Sequence, residues 1–241
     1  MTTQNGIDWH YIMEGTSILT LWSLMGWGMY RLSEGFESSH VPILLGSVFL
    51  GYLAADFVSG MVHWLADRYF SPDTPLIGAT FIVPFREHHA DQKDITRVNF
   101  IQTNGHNSLV TIPVLGTFHL LPIESGAWWA VALFSATLSL STWIFLTNQF
   151  HKWAHVDVVP NWVRPFQRIR ICLDVDVHQL HHTYPNDTNY CITSGVLNPL
   201  LEKINFWRRM EWIMLKIFGM KPFHDDSLDG MELFKTNKPQ L

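Results

Sequence analysis

The chain has 241 residues, of which 47% are hydrophobic and 15% are charged, and its formal net charge at pH 7 is −5. Soluble domains usually contain roughly 25% charged residues, so the composition disfavours a soluble domain and predicts a single membrane-embedded unit. The negative net charge argues against nucleic acid as a partner.

Four apolar segments each have about the 20 residues that a helix needs to cross a bilayer. They lie near residues 15–33, 41–66, 105–123 and 126–150. The short connections at 32–40 and 122–125 predict two antiparallel helical hairpins. No basic residue precedes the first apolar run and no cleavage pattern follows it, so that segment is expected to be a retained helix. The sequence predicts an all-α integral membrane protein with one domain over 1–241.

The distribution of Lys and Arg predicts the orientation of these helices. If the amino terminus is cytoplasmic, Arg31 alone lies on the far side, and the other 15 of the 16 basic residues fall in 67–104 and 151–241. Basic residues concentrate in cytoplasmic loops, so these two segments are expected to form a cytoplasmic helical cap.

Histidine is the expected source of metal ligands in this cap. The two cysteines, Cys172 and Cys191, belong to no CxxC pair and cannot supply a disulfide framework or a thiolate site. Eight of the 13 histidines are predicted to lie on one membrane face. They are His63, His88, His89, His151, His155, His178, His181 and His182.

The spacing of these histidines suits metal binding. Histidines separated by three or four residues project from one side of a helix, whereas the adjacent His88 and His89 diverge by about 100° and suit two metals or two sides of one pocket. Imidazole binds Zn, Cu, Fe and Ni, so the ligand type does not choose the metal. Eight histidines exceed the three or four that one zinc requires and match two metals with open positions.

The other five histidines are interpreted differently because each is isolated in the sequence. His10, His40, His119 and His224 are expected to be surface or interfacial residues. His106, within the tripeptide GHN, is expected to be structural or solvated.

Several motifs carry a resemblance to a known family. They are ADFVSGMVHWLAD (55–67), PFREHHADQKDITR (84–97), TNQFHKWAH (147–155), HQLHHTYPNDTNYCIT (178–193) and LEKINFWRRME (201–211). The chain resembles the plasmanylethanolamine desaturases, also called Kua-type membrane lipid desaturases, over roughly 41–224. Unusual residues such as Trp64, Lys152 and Trp207 recur with the histidines, so the motifs are specific. The sequence departs from the family at His106, where an acidic residue is expected, and at Val98, where some relatives carry His.

The resemblance implies that the eight histidines bind two iron ions and that O2 is a co-substrate. The implied reaction converts the O-alkyl chain of an ether phospholipid to the vinyl ether of a plasmalogen. The chain has no GxGxxG fingerprint, so an external electron donor is expected, either cytochrome b5 or another small carrier. The expected location is the bacterial inner membrane or the endoplasmic reticulum membrane, with the active site on the cytoplasmic face.

Carboxylates near the histidines are candidates for orienting the imidazole rings. Asp67, one helical turn beyond His63, is the predicted catalytic residue, because it is expected to accept the distal imidazole N–H. Glu87, Asp91, Asp174 and Asp176 flank the other motifs. Asp56 falls inside a predicted membrane helix, where an ionisable group is costly and usually functional.

A further helix is predicted over Pro199–Phe218. Its apolar residues include Leu200, Ile204, Trp207, Met214 and Phe218, and its pattern is typical of a helix in the membrane interface. Arg208 and Arg209 are candidates to contact phosphate, or alternatively form a basic interfacial anchor.

Three other functions stay open at this point. Within the same fold, the family also resembles a chloroplast enzyme that introduces a trans double bond into the acyl chain of phosphatidylglycerol. Paired histidines also hold haem in non-catalytic membrane proteins. A zinc-dependent lipid hydrolase would need only one metal ion.

Overall fold

A computed structural model describes residues 8–223, and this part of the chain is helical, without a β-strand. The α-helices of the described residues are α1 (Trp9–Glu34), α2 (Val41–Arg68), α3 (Val83–Ala90), α4 (Phe100–Phe118), α5 (Trp128–His155), α6 (Arg164–Arg168), α7 (Val175–His181), α8 (Asn198–Lys203) and α9 (Phe206–Phe218). A π-helical turn, Gly78–Ile82, leads directly into α3. The prediction of an all-α protein is confirmed for these residues. His224 lies outside them.

Within residues 8–223, two stretches are long and apolar enough to cross a membrane, Ser38–Arg68 and Trp128–His155. They coincide with the second and fourth predicted spans. The other two predicted spans overlap α1 and α4, and a four-span topology with a cytoplasmic cap stays a prediction. The described residues divide into two compact units, one of residues 8–57 and 97–153 and the other of residues 58–96 and 154–223.

In the first unit, α1 packs alongside α4 and runs in the same direction. The amino ends of these helices meet where Gly105 lies against Glu14, and their carboxyl ends meet where Arg31 donates to the carbonyl of Leu121 at 2.9 Å. Caps define both starts: the Asp8 carboxylate accepts from the backbone N–H groups of His10 and Tyr11, and Asn99 forms a capping box with Gln102. The cap at Asn99 explains why α4 begins five residues before the predicted start at 105.

In the second unit, the end of α2 packs against the loop that precedes α8. The Ser59 hydroxyl accepts from the backbone N–H groups of Ile192 and Thr193 at 3.1 and 3.3 Å. A Cβ added to Gly60 would lie only 2.6 Å from Cys191 Sγ, so the close approach requires glycine. The Asn198 side chain bonds both the N–H and the carbonyl of Cys191, at 2.9 and 3.0 Å. These contacts fix the loop against the helix that carries His63.

The prediction of one helix over Pro199–Phe218 is wrong, because the structure has two helices there, α8 and α9. The chain breaks at Asn205, where a φ of 51° in the left-handed region interrupts α-helical geometry. The break turns Trp207 into the core of the second unit, where it is 3% exposed and contacts Trp64 and Tyr190. Trp207 is therefore a core residue, whereas Leu200, Ile204 and Phe218 remain exposed as an interfacial segment requires.

Candidate metal centre

Three imidazoles and one carboxylate of the second unit point their ligand atoms at one place. Asp67 Oδ2 lies 3.4 Å from His63 Nε2 and 3.5 Å from His181 Nε2, and Asp67 Oδ1 lies 3.3 Å from His89 Nε2. All four side chains are at most 14% exposed. Two ligand atoms of a tetrahedral ion with bonds near 2.1 Å are separated by about 3.4 Å. The spacing of these atoms therefore matches the edges of a metal coordination shell.

A second group of imidazoles lies beside the first. His155 Nε2 is 2.9 Å from His88 Nε2 and 2.7 Å from His178 Nε2, and His178 Nε2 is 3.0 Å from His182 Nε2. A neutral imidazole has one N–H, so a ring that offers Nε2 as an acceptor must protonate Nδ1. Each Nε2 atom therefore has either one proton or one lone pair, so His155 and His178, whose Nε2 atoms each face two others, cannot satisfy both contacts with separate hydrogen bonds. A shared cation can accept the lone pairs of all four rings.

The local helices divide the histidines between the two groups. Adjacent His88 and His89 diverge on α3, so His88 joins the second group and His89 joins the first. Around the end of α7, His181 joins the first group, whereas His178 and His182, four residues apart, join the second. Rings from both groups touch: the centroids of His89 and His182 are 5.0 Å apart. We refer to the two groups together as the histidine cluster, which consists of Asp67 and seven histidines: His63, His88, His89, His155, His178, His181 and His182.

Backbone carbonyls orient two of the rings. The His63 Nδ1 atom lies 3.2 Å from the carbonyl oxygen of Tyr190, and His181 Nδ1 lies 2.8 Å from that of Thr188. A carbonyl only accepts, so these contacts place the proton on Nδ1 and leave the Nε2 lone pair for a metal. The sequence did not indicate these carbonyls, because their position depends on the loop that Ser59 and Asn198 hold.

Asp67 has a different position from the one expected from the sequence. Its carboxylate faces the Nε2 atoms, where a metal would bind, and the distal Nδ1 atoms of His63 and His181 face carbonyls instead. The carboxylate is therefore placed among the candidate ligands. Its role in catalysis stays a prediction.

His155 is positioned by a contact at the end of α5. The Lys93 ammonium donates to the His155 carbonyl at 2.6 Å and also pairs with Asp157. A cation at a helix carboxyl terminus satisfies an unpaired carbonyl and interacts favourably with the helix dipole. His151, four residues earlier on α5, is buried and belongs to the first unit. Its assignment as a ligand stays a prediction.

Burial favours the neutral form of three imidazoles of the histidine cluster. Burial, together with the neighbouring imidazoles, lowers the pKa of His88 to about 2 and holds the pKa values of His178 and His181 well below the usual range. Within residues 8–223, the Nε2 atom of His181 is buried and has no hydrogen-bond partner. Buried polar atoms are normally satisfied, so these features fit a bound cation. The residues present therefore fit a metal centre.

The remaining flanking carboxylates have other surroundings. Glu87, Asp91 and Asp176 are exposed, and Asp174 caps α7 by accepting from the N–H of Asp176 at 3.0 Å. Asp56 is completely buried within α2.

Arg208 is engaged by carboxylates rather than presented to a ligand. It pairs with Asp187 and with Glu211, whose other oxygen pairs with Arg68 at 3.1 Å. Arg208 and the exposed Arg209 both line a shallow surface pocket with Trp212, and only Arg208 is held there by the carboxylates named above. Of the two arginines, Arg209 is thus the better placed to meet a phosphate.

The isolated histidines fall into two kinds. His40 and His119 are buried and structural, not surface residues as expected: each Nε2 faces a carbonyl oxygen, that of Gly126 at 3.1 Å and that of Leu24 at 3.0 Å. His10 and His106 come together with Glu14 in the first unit.

Comparison with known proteins agrees with this geometry. A model of the lipid desaturase domain matches residues 52–225. A plasmanylethanolamine desaturase of Myxococcus xanthus is 42% identical, over 89% of this chain and 75% of its own length. Plasmanylethanolamine desaturase 1 of Mus musculus is 40% identical, over 88% of this chain and 80% of its own length.

More distant relatives match a smaller share of the chain. The chloroplastic fatty acid desaturase 4 of Arabidopsis thaliana is 32% identical, over 78% of this chain and 57% of its own length. No solved structure matches the chain significantly. The domain match covers most of the chain and includes every residue of the histidine cluster. The chain belongs to the lipid desaturase domain family.

Proposed function

We propose that this lipid desaturase is a di-iron membrane enzyme that converts plasmanylethanolamine to a plasmalogen. It removes one hydrogen from each of carbons 1 and 2 of the O-alkyl chain and leaves the vinyl ether. The observation that carries the proposal is the histidine cluster, in which two groups of buried imidazoles converge. The identities of 42% and 40% to plasmanylethanolamine desaturases support the choice of substrate.

The two groups would hold one iron each. His63, His89, His181 and Asp67 form the first set of ligands, and His88, His155, His178 and His182 form the second, with His151 as the eighth predicted histidine. An unactivated methylene has no acidic proton for a general base, so bound iron would supply the oxidising power that breaks the two C–H bonds. Imidazole and carboxylate ligands are compatible with iron and leave room for a substrate.

The charge of Asp67 has a specific function in this proposal. Histidine ligands are neutral, so seven imidazoles leave the charge of two cations uncompensated, and a buried charge is costly unless it is paired. The Asp67 carboxylate supplies one negative charge at 3.3–3.5 Å from three ligand nitrogens. We therefore assign Asp67 as a metal ligand.

The balance of the reaction requires a partner. Two hydrogens from the lipid, two external electrons and two protons reduce O2 to two waters. The electrons come from a separate small carrier, cytochrome b5 or another protein. The lipid chain enters from the bilayer, and the exposed apolar residues of α9, including Trp212 and Phe218, are suited to lie in the interface beside it. This arrangement requires the four-span topology with the cap on the cytoplasmic face.

Expression in a host without plasmalogens tests the proposal. The host is supplied with an alkyl-ether phospholipid, and vinyl ethers are measured as the aldehydes they release in acid. The purified protein should contain two irons per chain and no intense Soret band. Vinyl ether absent from an iron-loaded, membrane-inserted protein would contradict the proposed substrate. One zinc per chain in place of the two irons would favour a hydrolase, and a Soret band would favour a haem protein.

Desaturation of an acyl chain is the second candidate. The relatives named chloroplastic fatty acid desaturases, 31–32% identical over 78% of this chain, favour it. The same expression experiment separates the two, because a new double bond in an acyl chain of a phospholipid such as phosphatidylglycerol releases no aldehyde in acid.

A further inference from the structure

Three side chains of the first unit form a second cluster of metal-ligating groups. Glu14 Oε1 lies 3.5 Å from His10 Nδ1 and 3.3 Å from His106 Nδ1. The two histidine rings are 5.0 Å apart and tilted by 46°. His10 and Glu14 are one turn apart on α1, and His106 lies on α4. We call these three residues the α1–α4 site.

The packing of α1 against α4 fixes the carboxylate in this site. A Cβ at Gly105 would lie 2.4 Å from Glu14 Cβ and 2.8 Å from Glu14 Cα, so only glycine permits this approach. The Glu14 side chain is 5% exposed as a result, whereas His10 is 54% exposed and His106 is 22% exposed. The site thus has a buried anion at its base and an imidazole open to solvent at its edge.

The distances favour an ion between these groups over direct hydrogen bonds. A charge-assisted N–H···O bond is about 2.7–2.9 Å long, and both contacts here are longer. Nitrogen and oxygen ligands of one tetrahedral ion, each near 2.1 Å from it, are separated by about 3.4 Å. Two imidazoles disfavour Mg2+ and Ca2+, which prefer oxygen ligands, and select a transition metal such as Zn2+.

We propose that His10, Glu14 and His106 bind a divalent transition metal, separate from the histidine cluster, that links the amino-terminal turns of α1 and α4. Three protein ligands leave the ion at least one further position, which water fills. The exposed His10 gives the ion a route from solvent. Because the ion binds only where the two helices are packed, it stabilises this helix pair.

Zinc titration of the purified, iron-loaded protein tests this site independently of the desaturase proposal. Zinc content and thermal unfolding are measured in detergent, with Mg2+ as the control ion and the exposed Thr16→Ala variant of α1 as the control protein. One zinc per chain should bind and raise the unfolding temperature, whereas Mg2+ should have no such effect. Thr16→Ala should behave as wild type.

Two variants identify the ligands. His10→Ala removes an exposed side chain, and Glu14→Gln retains the size of the buried one while it removes the charge. Loss of a residue that only supports a metal ligand lowers metal affinity about 10- to 100-fold, so each of these variants should weaken zinc binding at least about tenfold. The iron content should not change. Wild-type protein that binds no stoichiometric zinc, or a His10→Ala variant with wild-type zinc affinity, would overturn the proposal.

Discussion

The histidine cluster and the α1–α4 site use the same ligand chemistry in different surroundings. The first draws seven imidazoles from α2, α3, α5, α7 and the residue after α7, and buries them together with one carboxylate. The second has two imidazoles around one carboxylate and opens to solvent at His10. Exclusion of water strengthens electrostatic interactions and protects reactive chemistry, whereas an open site exchanges its ion readily. The two proposals therefore place redox chemistry in the buried cluster and stabilisation of a helix pair at the open site.

Replacement of a ligand in the histidine cluster should have the largest effect. We expect His181→Ala and His155→Ala to abolish product formation, with activity lowered more than about 100-fold. Loss of a residue that only hydrogen-bonds to a metal ligand costs up to about 100-fold, and loss of the ligand itself should cost more. The measurement is vinyl ether formed per inserted protein, with iron content determined on the same samples. A fully active, fully iron-loaded variant would be incompatible with a ligand role.

The charge of Asp67 provides the next test. Asp67→Asn keeps the size of the side chain but removes the anion that faces His63, His89 and His181. We expect roughly 10- to 100-fold lower activity and reduced iron content, because a ligand or orienting partner is lost. The exposed Asp176→Asn is the matched control and should keep wild-type iron. Equal iron content in both variants would refute Asp67 as a ligand.

The support of the cluster by the loop before α8 can be tested at Gly60. Gly60→Ala places a Cβ against Cys191, and overpacking of this kind costs about 1–3 kcal/mol of stability. A Cβ added at Gly46, on the same helix, meets no atom within 4 Å, so Gly46→Ala should not destabilise the protein. Thermal unfolding of both variants is the measurement. Identical unfolding temperatures would show that the loop yields without cost.

The smallest effect on activity is expected at the α1–α4 site. His106→Ala should keep product formation within about twofold of wild type, as expected for a partly exposed residue outside the reaction centre. Product analysis beside His181→Ala measures the contrast directly. A loss as large as that of His181→Ala would make His106 part of the catalytic machinery and remove the distinction drawn between the two sites.

Much of the histidine cluster could be predicted from local spacing. Residues four apart share a helix face whatever surrounds the helix, so the pairing of His178 with His182 followed from spacing. The expectation that His181, three residues after His178, joins the same set was wrong, because His181 lies with His63 and His89. The apolar runs likewise predicted the long helices α2 and α5. Sequence spacing also predicted the opposite directions of His88 and His89.

Other features depended on contacts between distant segments. The sequence showed a helical pattern across 199–218, but the left-handed backbone at Asn205 and the burial of Trp207 against Trp64 break it in two. The orientation of His63 depends on a carbonyl 127 residues away, at Tyr190. No periodicity in a single segment encodes such a contact.

The sequence by itself predicted histidine as the metal ligand, and it determined the spacing of the histidines along each helix and the family of the chain. Only the tertiary structure decided which histidines share a group, that Asp67 faces the ligand atoms, and that His10 and His106 meet at Glu14. The physical reason is that helix geometry fixes neighbours within one turn, whereas side chains from separate elements meet only through packing. Gly60 and Gly105 permit two of those close approaches, because no other residue leaves room for the opposing atoms.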